Sequence, residues 1–391
     1  MKIKNKFCGF VDIAPGEKDC EDRRAWQGAP SIARTKGGRL FVAFMSGGIY
    51  EPDPRNCIYL VTSDDDGETW SAPVLRLDSI PGRRLRNYEG EVFTDPGGRL
   101  WFLWASVPYE EGLAMPTYDQ KMDMENDSEY HSLEDQAKTF VSICEDPDAD
   151  ELRFSEPREL FGAVVRNKPL FLSDRWIFSA YLTGARPYYE LFITEDEGKT
   201  FRPVRIPGRA LTRAYDEPAL WRTPRGVVAC AVRTRQNLFY RSLSYDSGET
   251  WTEMIPMTEA ASQRPCALTL RSGEVLFIPS IRPNARNGLQ ILISADGIHF
   301  EKTLVLDDRE RVSYPEAVEA PDGTVYVVYD RERNNKVKKS LVTGLSEAAK
   351  EILFARIPGD VLRTGEVDER TVRARVISKA GINTLKNEFT E

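Results

Sequence analysis

The chain has 391 residues with a formal net charge of −8, and 41% of its residues are hydrophobic. This length exceeds that of a typical small domain and allows a large apolar core. The acidic balance argues against non-specific nucleic-acid binding. Because no run of about 18 apolar residues occurs, no membrane-spanning helix is expected.

The first residues and the cysteines predict the cellular compartment. The segment MKIKNKFCGFVDIAPGEKDCEDRR lacks the apolar core of a signal peptide. The cysteines are scattered and form no C-x-x-C pair, which favours reduced thiols over the disulfide framework of short secreted chains. They are Cys8, Cys20, Cys57, Cys144, Cys230 and Cys266. We therefore expect a cytoplasmic protein.

Histidines are scarce, which limits the possible chemistry. Only His131 and His299 occur in the chain. A multi-histidine zinc site and a Ser-His-Asp triad are therefore disfavoured, and we expect no metal and no cofactor. If the protein is an enzyme, carboxylates or tyrosines must supply its acids and bases.

An octapeptide recurs along the chain with the pattern Ser/Thr-x-Asp-x-Gly-x-Thr-Trp/Phe. The copies are SDDDGETW at 63–70, TEDEGKTF at 194–201 and SYDSGETW at 244–251, with a shortened form, SADGIHF, at 294–300. The aspartate can accept backbone N–H bonds inside a tight turn, and the glycine allows positive φ. We expect the aromatic residue to resume a strand and to fill the gap beside the next sheet.

A second pattern keeps the same period. It is a proline, an apolar run, a turn with glycine, and another apolar run. In chain order the copies are APSIARTKGGRLFVAF, GEVFTDPGGRLWFLWA (without the proline), KPLFLSDRWIFSAY, EPALWRTPRGVVACAV, RPCALTLRSGEVLFI and YPEAVEAPDGTVYVVY. The prolines of the last four copies, Pro169, Pro218, Pro265 and Pro315, are 49, 47 and 50 residues apart.

Six units, each with two strands, a turn box and a last strand, predict an all-β fold, a six-bladed β-propeller. A pair of β-sandwiches is the alternative, but it would not give such even spacing. We expect one domain over 1–391, with helical periodicity confined to 128–140 and 345–354. A long loop over 106–139 interrupts the second unit and is either a substrate-covering lid or an acidic disordered insert.

Propeller topology predicts which loops share a face. With strands A to D in each unit, the A–B turns and the boxes lie on one face, and the D–A and B–C loops lie on the other. Arginines and carboxylates from all six units gather in the second set, as in RNK at 166–168, SQR at 262–264 and RPNARNG at 282–288. The planar fork of arginine suits a carboxylate, so we predict a small anionic ligand, with a solvated charged rim as the alternative for some of these residues.

The stretch VSYPEA at 312–317 places Tyr314 directly before the proline of the last unit. The equivalent positions elsewhere are Ala29, Lys168, Glu217 and Arg264. We predict that Tyr314 meets Glu217 and that Pro315 holds Tyr314 in the extended conformation. A phenol beside a carboxylate base can act as a nucleophile.

The octapeptide is the Asp-box, and the repeats resemble the bacterial sialidase (neuraminidase) superfamily over nearly the whole chain. The box itself is a folding element that also occurs in non-enzymes. Sialidases use a tyrosine nucleophile in glycoside hydrolysis. The resemblance therefore implies that Tyr314 is the nucleophile and that Glu217 activates it.

The resemblance also implies a binding set for the sugar carboxylate. Arg233 matches the second arginine of the family's triad, and Arg282 or Arg286 falls in the loop that supplies the third; we predict that Arg233, with Arg264 or Arg282, holds the carboxylate. Glu51 and Asp53 are the candidates for the acid/base. Asp330 corresponds to the residue that orients the first arginine. The first arginine itself is replaced by Gly28, and Arg24 and Arg331 are candidates to substitute for it.

Three functions remain open from the sequence. The first is a retaining exo-glycosidase for a sialic-acid-like or other acidic sugar. The second is a glycosidase for a neutral or uronic sugar, which the missing arginine favours. The third is a non-catalytic propeller that binds glycans or protein.

Overall fold

The computed structural model describes residues 10–11, 24, 26–47, 56–79, 85–108, 136–181, 188–208, 217–234, 236–260, 263–282, 286–333 and 350–380. These residues are nearly all in strands and turns, and the strands form six small sheets. The fold class is all-β, and the predicted six-bladed β-propeller is confirmed. In the described ranges, no helix is long and apolar enough to cross a membrane.

The contacts of the chain group it into two compact units. Unit 1 comprises Met1–Ala163, Tyr329–Leu353 and Val376–Glu391, and unit 2 comprises Val164–Val328 and Phe354–Arg375. The prediction of one domain over 1–391 stays a prediction.

Unit 1 holds the first two sheets. Their strands are β1 (Phe10–Val11), β2 (Trp26–Arg34), β3 (Leu40–Gly47), β4 (Cys57–Ser63), β5 (Leu75–Asp78), β6 (Leu85–Thr94), β7 (Leu100–Pro108), β8 (Lys138–Cys144) and β9 (Arg158–Phe161). The first sheet has the order β1–β5–β4–β3–β2, and the second has the order β6–β7–β8–β9. Apart from β1, which pairs with β5, strands that follow one another in the chain pair within each sheet, so each predicted repeat unit is one sheet.

Unit 2 holds the next three sheets. Their strands are β10 (Val164–Val165), β11 (Leu170–Phe171), β12 (Trp176–Tyr181), β13 (Tyr188–Thr194), β14 (Arg202–Pro207), β15 (Ala219–Arg222), β16 (Val228–Arg233), β17 (Leu238–Ser244), β18 (Ile255–Ala260), β19 (Ala267–Thr269), β20 (Val275–Phe277), β21 (Asn287–Ser294) and β22 (Glu301–Glu310). In the third sheet, β10 and β11 both pair with β12, at its two ends. The inner strand of that sheet is therefore interrupted at residues 166–169.

The sixth sheet has the order β23–β24–β25–β26. Its strands are β23 (Val312–Glu319), β24 (Val325–Arg331), β25 (Lys350–Ile357) and β26 (Val372–Ala380), and a short helix, α1 (Gly359–Thr364), follows β25. The boundaries between the two units fall inside β24, β25 and β26.

The core of unit 2 lies between neighbouring sheets. One cluster joins the third and fourth sheets through Ile177, Leu191, Leu220 and Cys230, all buried. A second cluster joins the fourth and fifth sheets around Trp221, whose ring centroid lies 6.1 Å from that of Phe277. The fourth sheet therefore buries both of its faces, which explains the near-continuous apolar run VACAV in β16. The described cysteines, Cys57, Cys144, Cys230 and Cys266, are buried thiols.

The Asp-boxes form the predicted turns. In the box of the fourth sheet, Asp246 Oδ1 accepts from the N–H of Thr250 at 2.9 Å and from the hydroxyl of Ser244 at 2.8 Å. The Gly248 N–H donates to the Ser244 hydroxyl at 2.8 Å. Hydrogen bonds from the side chain and backbone of Thr250 lower the pKa of Asp246 to about 2. The corresponding bonds recur at Asp65, Asp196 and Asp296.

Three local expectations are corrected. Ser106–Pro108 and Lys138–Thr139 are strand residues, because the ladder continues through the pairs Ser106↔Lys138 and Ala105↔Thr139. The loop predicted over 106–139 is therefore shorter at both ends, and residues 109–135 lie outside the described residues. The helical periodicity at 345–354 is also misleading, since residues 350–354 begin β25 and the helix starts at Gly359.

The third correction concerns the box aromatics. Phe201 directly precedes β14, as expected, but Trp70 and Trp251 precede β5 and β18 by several residues instead of resuming the strand. The segment after Trp70 makes irregular bonds first, with Ser71 N–H donating to Thr62 O at 2.8 Å. Trp70 is nevertheless buried, as expected of a residue that fills a gap.

The box glycine of the fifth sheet packs directly against the fourth sheet. A Cβ on Gly297, at φ +75°, would lie 2.8 Å from Thr223 Cγ2 and 3.1 Å from Thr223 Cα. Gly273 is also in the left-handed region, at φ +89°, but a Cβ there would meet nothing within 4 Å. The two glycines therefore separate the conformational cost of a side chain from its packing cost.

Gly297→Ala should reduce the free energy of unfolding by about 2–5 kcal/mol, the sum of about 1–2 for the left-handed backbone and 1–3 for overpacking. Gly273→Ala should reduce the free energy of unfolding only by the contribution of the left-handed backbone, about 1–2 kcal/mol. Thermal unfolding of both variants checks this. Equal losses at the two positions would show that the contact with Thr223 carries no cost.

Candidate active site

Tyr314 and Glu217 lie side by side in unit 2. The Tyr314 hydroxyl donates to Glu217 Oε1 at 2.7 Å. Tyr314 is the third residue of β23, and Glu217 lies two residues before β15. The two residues are 3% and 1% exposed. The structure thus brings together the pair that the sequence predicted to meet.

The backbone of Tyr314 is left-handed, so the expectation of an extended conformation is wrong. Its φ is 53°, and that of Glu217 is 40°. Positive φ costs a non-glycine residue about 1–2 kcal/mol, and such strain is concentrated at functional sites. Local side-chain contacts outweigh the preference that Pro315 imposes: the Tyr314 N–H donates to Gln263 Oε1 at 2.8 Å, while its hydroxyl is held by Glu217.

Arg233 completes a buried triad with this pair. It is the last residue of β16, and its Nη1 lies 3.3 Å from Glu217 Oε2. The Arg233 and Glu217 side chains are 8% and 2% exposed. One carboxylate therefore bridges a phenol hydroxyl and a guanidinium.

Three further guanidinium groups surround the Tyr314 ring. Their central carbons lie 5.6 Å (Arg166), 5.8 Å (Arg264) and 5.1 Å (Arg286) from the ring centroid, within the range of cation–π attraction. Arg286 was a predicted ligand-binding residue. Arg166 was not, although it is the first residue of the RNK stretch and is buried.

Arg264 is fully buried and bonded within the protein. Its Nη2 donates to Glu316 Oε2 at 2.8 Å, and its Nη1 donates to Asn167 Oδ1 at 2.8 Å and to the Arg166 carbonyl. Lys168 Nζ lies 3.0 Å from the other oxygen of Glu316. Arg282, by contrast, is exposed.

The remaining predicted residues belong to unit 1. Asp330 is completely buried, and its Oδ2 accepts the Ala29 N–H at 2.8 Å. Arg331 Nη1 donates to Glu351 Oε2 at 3.2 Å. Arg24 is buried and donates to hydroxyl and amide oxygens, of which Ser378 Oγ at 3.0 Å is the nearest.

The space beside Gly28 is occupied by an arginine that the sequence reasoning missed. A Cβ on Gly28 would lie 2.1 Å from Arg333 Cδ and 3.0 Å from Asp330 Oδ2. Arg333 Nε lies 3.7 Å from the same Asp330 oxygen. Arg333 belongs to the charged stretch DRERN at 330–334, but no sequence signal places it against a glycine so distant in the chain.

The acid/base candidates Glu51 and Asp53 lie outside the described residues. Their assignment therefore stays a prediction from the resemblance.

The comparisons with known proteins give the family. A family model for the BNR repeat-like domain matches residues 38–327, and no curated protein sequence matches. Among solved structures, the NanB sialidase from Streptococcus pneumoniae is similar with a TM-score of 0.62 and 13% identity, over 81% of this chain and 67% of that chain. The intramolecular trans-sialidase from Ruminococcus gnavus has a TM-score of 0.61 and 15% identity, over 79% of this chain and 91% of that chain.

A protein of unknown function from Dyadobacter fermentans is similar to the same degree, with a TM-score of 0.61 and 19% identity over 85% of this chain and 94% of that chain. At such identities the likeness shows the fold. Together with the family match, it establishes that the chain belongs to the BNR repeat-like domain family and has the sialidase-like six-bladed β-propeller.

Proposed function

We propose that the protein is a retaining exo-glycosidase that hydrolyses a terminal acidic sugar, with Tyr314 as nucleophile and Glu217 as its base. The observation that carries the proposal is the 2.7 Å bond from the Tyr314 hydroxyl to Glu217, between two buried side chains. A neutral phenol is a poor nucleophile, and a carboxylate in direct contact can take its proton as the oxygen attacks.

The reaction has two displacements. In the first, the Tyr314 oxygen bonds to the anomeric carbon, its proton passes to Glu217, and the glycosidic C–O bond breaks. The leaving oxygen takes a proton from Glu51 or Asp53, the candidates that the resemblance implies. In the second, a water attacks the same carbon and gives its proton to that residue, while the bond to Tyr314 breaks and the tyrosine recovers its proton. Two inversions retain the configuration.

The arginines support an acidic substrate. Two arginines lie beside the Tyr314–Glu217 pair. Arg233 Nη1 is 3.3 Å from Glu217 Oε2, and Arg286 Cζ is 5.1 Å from the Tyr314 ring centroid. We assign them, with Arg282, to the substrate carboxylate, for which guanidinium forks are suited. A neutral nucleophile fits this substrate, since an anionic one would be repelled by a carboxylate on the reacting carbon. The structural neighbours named as sialidases support a glycan substrate.

A neutral or uronic sugar is the second candidate, and Gly28 favours it. The resemblance implies an arginine at this position. Arg333, which packs against Gly28 instead, lies 3.7 Å from Asp330, and this carboxylate offsets its positive charge.

A panel of aryl glycosides tests the proposal and separates the candidates. We expect release of the aryl group from sialosides or other acidic sugars, and NMR should show that the first product retains its anomeric configuration. Turnover confined to uronides or neutral sugars would replace the substrate assignment. An inverted first product would rule out a covalent tyrosine intermediate. Glycan binding by calorimetry without any turnover would make the protein a binding propeller.

Arg233→Lys should lower kcat/KM by about 30- to 1,000-fold, which corresponds to a loss of about 2–4 kcal/mol in transition-state binding. Lysine keeps the charge but loses the bidentate fork. Arg222→Lys is the control, because Arg222 is exposed at the opposite end of the same sheet's inner strand. Unchanged kcat/KM in Arg233→Lys would mean that this arginine does not contact the substrate.

A further inference from the structure

The backbone of Glu217 is held by an amide from the neighbouring sheet. Asn167 Nδ2 donates to the Glu217 carbonyl at 3.0 Å and to the Pro218 carbonyl at 2.9 Å. The Ser179 hydroxyl donates to the Pro218 carbonyl at 2.6 Å. Asn167 lies in the interruption between β10 and β11, where its side chain reaches the start of the fourth sheet. These bonds fix a residue whose φ of 40° is unfavourable on its own.

The backbone of Tyr314 is held by a side-chain amide that accepts a hydrogen bond, whereas the amide at Glu217 donates. Its N–H donates to Gln263 Oε1 at 2.8 Å, and Gln263 is completely buried. Asn167 therefore acts as a donor at Glu217, and Gln263 acts as an acceptor at Tyr314. Gln263 Nε2 has no hydrogen-bond partner among the described residues. Within those residues, the side chain of Gln263 therefore forms hydrogen bonds only through its acceptor oxygen, Oε1.

Arg264 follows Gln263 in the chain and links Asn167 to the strand that carries Tyr314. Its Nη1 donates to Asn167 Oδ1 at 2.8 Å, which turns the Asn167 amide nitrogen toward the two carbonyls. Its Nη2 donates at 2.8 Å to Glu316, two residues after Tyr314 on β23. Lys168 bonds the other Glu316 oxygen at 3.0 Å and the Ala317 carbonyl at 2.8 Å. A buried network in which each charge has a partner makes such a geometry rigid.

We propose that Asn167 and Gln263, coupled through Arg264, are positioning residues that hold the Tyr314 hydroxyl against Glu217. This inference rests on the proposed function for its kinetic consequence. In this proposal Arg264 is part of the positioning network, whereas the sequence predicted it as a candidate for contact with the ligand carboxylate. The network acts on the backbone of the pair, so its loss should impair the chemical step more than substrate binding.

The donor and acceptor roles predict opposite responses to the same chemical change. Asn167→Asp keeps the shape and the oxygen that faces Arg264 but replaces the donor by an oxygen facing two carbonyls. We expect kcat to fall 10- to 100-fold with KM changed less than threefold. Gln263→Glu keeps the acceptor oxygen and should retain kcat within about threefold. Gln263→Met keeps the size but loses the acceptor, and should behave like Asn167→Asp.

Two further readouts separate this inference from general destabilisation and from the proposed function. Thr223→Val removes a side-chain bond to the Val227 N–H just beyond the other end of β15, and it should lower the unfolding temperature without lowering kcat. Hydrogen exchange followed by mass spectrometry, with fragments that resolve Tyr314, should show faster exchange of its amide in Gln263→Met and an unchanged rate in Gln263→Glu.

Equal losses in Gln263→Glu and Gln263→Met, or full activity in Asn167→Asp, would overturn the positioning role. So would losses of kcat that follow the unfolding temperature across all four variants. If the wild-type protein turns over no glycoside, the proposed function fails. The exchange rates, with crystal structures of the variants to measure the Tyr314–Glu217 distance, then still decide the inference: an unchanged rate and distance in Gln263→Met would overturn it.

Discussion

Tyr314→Phe is expected to lower kcat by about 10³-fold or more, because no oxygen remains to form the covalent intermediate. The Tyr314 ring would keep its place among the guanidinium groups that surround it, so the fold and substrate binding should change little. Steady-state kinetics on the best aryl glycoside measures the loss. Tyr326→Phe is the matched control, since Tyr326 is a buried tyrosine of the same sheet that stacks on Phe354 at 6.0 Å.

A fluorinated sugar of the right class gives direct proof of the nucleophile. A 2-deoxy-2-fluoro or 3-fluoro sugar with a good leaving group should form an adduct that hydrolyses slowly. Mass spectrometry of a peptic digest should then find the adduct on the fragment that contains Tyr314. An adduct on Glu51 or Asp53 would show that the nucleophile was assigned to the wrong residue, and full activity in Tyr314→Phe would show that the tyrosine only packs.

The repeats made the fold predictable. Prolines about 50 residues apart, together with the Asp-boxes, specify one sheet per unit, and this spacing is independent of the details of packing. The same register predicted that Tyr314 and Glu217 meet, since both precede the proline of their unit. The ends of the 106–139 loop were not predictable in this way, because pairs such as Ser106↔Lys138 depend on how far a ladder continues.

The backbone at the pair could not be predicted from the sequence. Tyrosine and glutamate both disfavour positive φ, so local preference predicts the wrong conformation. The conformation exists because side chains from neighbouring sheets satisfy it, such as Gln263 at the Tyr314 N–H. Likewise, Arg333 fills the space beside Gly28 although 305 positions separate them in the chain. Such contacts depend on three-dimensional packing that no short motif encodes.

Glu217→Gln is expected to lower kcat by about 10²- to 10⁴-fold, the usual contribution of general base catalysis. Glutamine is nearly isosteric and keeps an oxygen that can accept the Tyr314 hydroxyl, so the pair's geometry should persist. What is lost is the negative charge that takes the proton. Arg233, 3.3 Å from Glu217 Oε2, would also lose a buried partner, so unfolding temperatures must be measured beside the kinetics.

A double mutant decides whether Glu217 acts through Tyr314. If the glutamate serves only to deprotonate the tyrosine, Tyr314→Phe combined with Glu217→Gln should be no slower than Tyr314→Phe alone. Glu319→Gln is the matched control. Its carboxylate lies at the far end of the same β23 strand and accepts the Arg271 N–H at 2.7 Å. Glu319→Gln should cause no further loss of kcat when it is combined with Tyr314→Phe or with Glu217→Gln. Multiplying losses in the Tyr314–Glu217 double mutant would place the two residues in separate steps of the reaction, because residues that share one proton transfer cannot lose it twice.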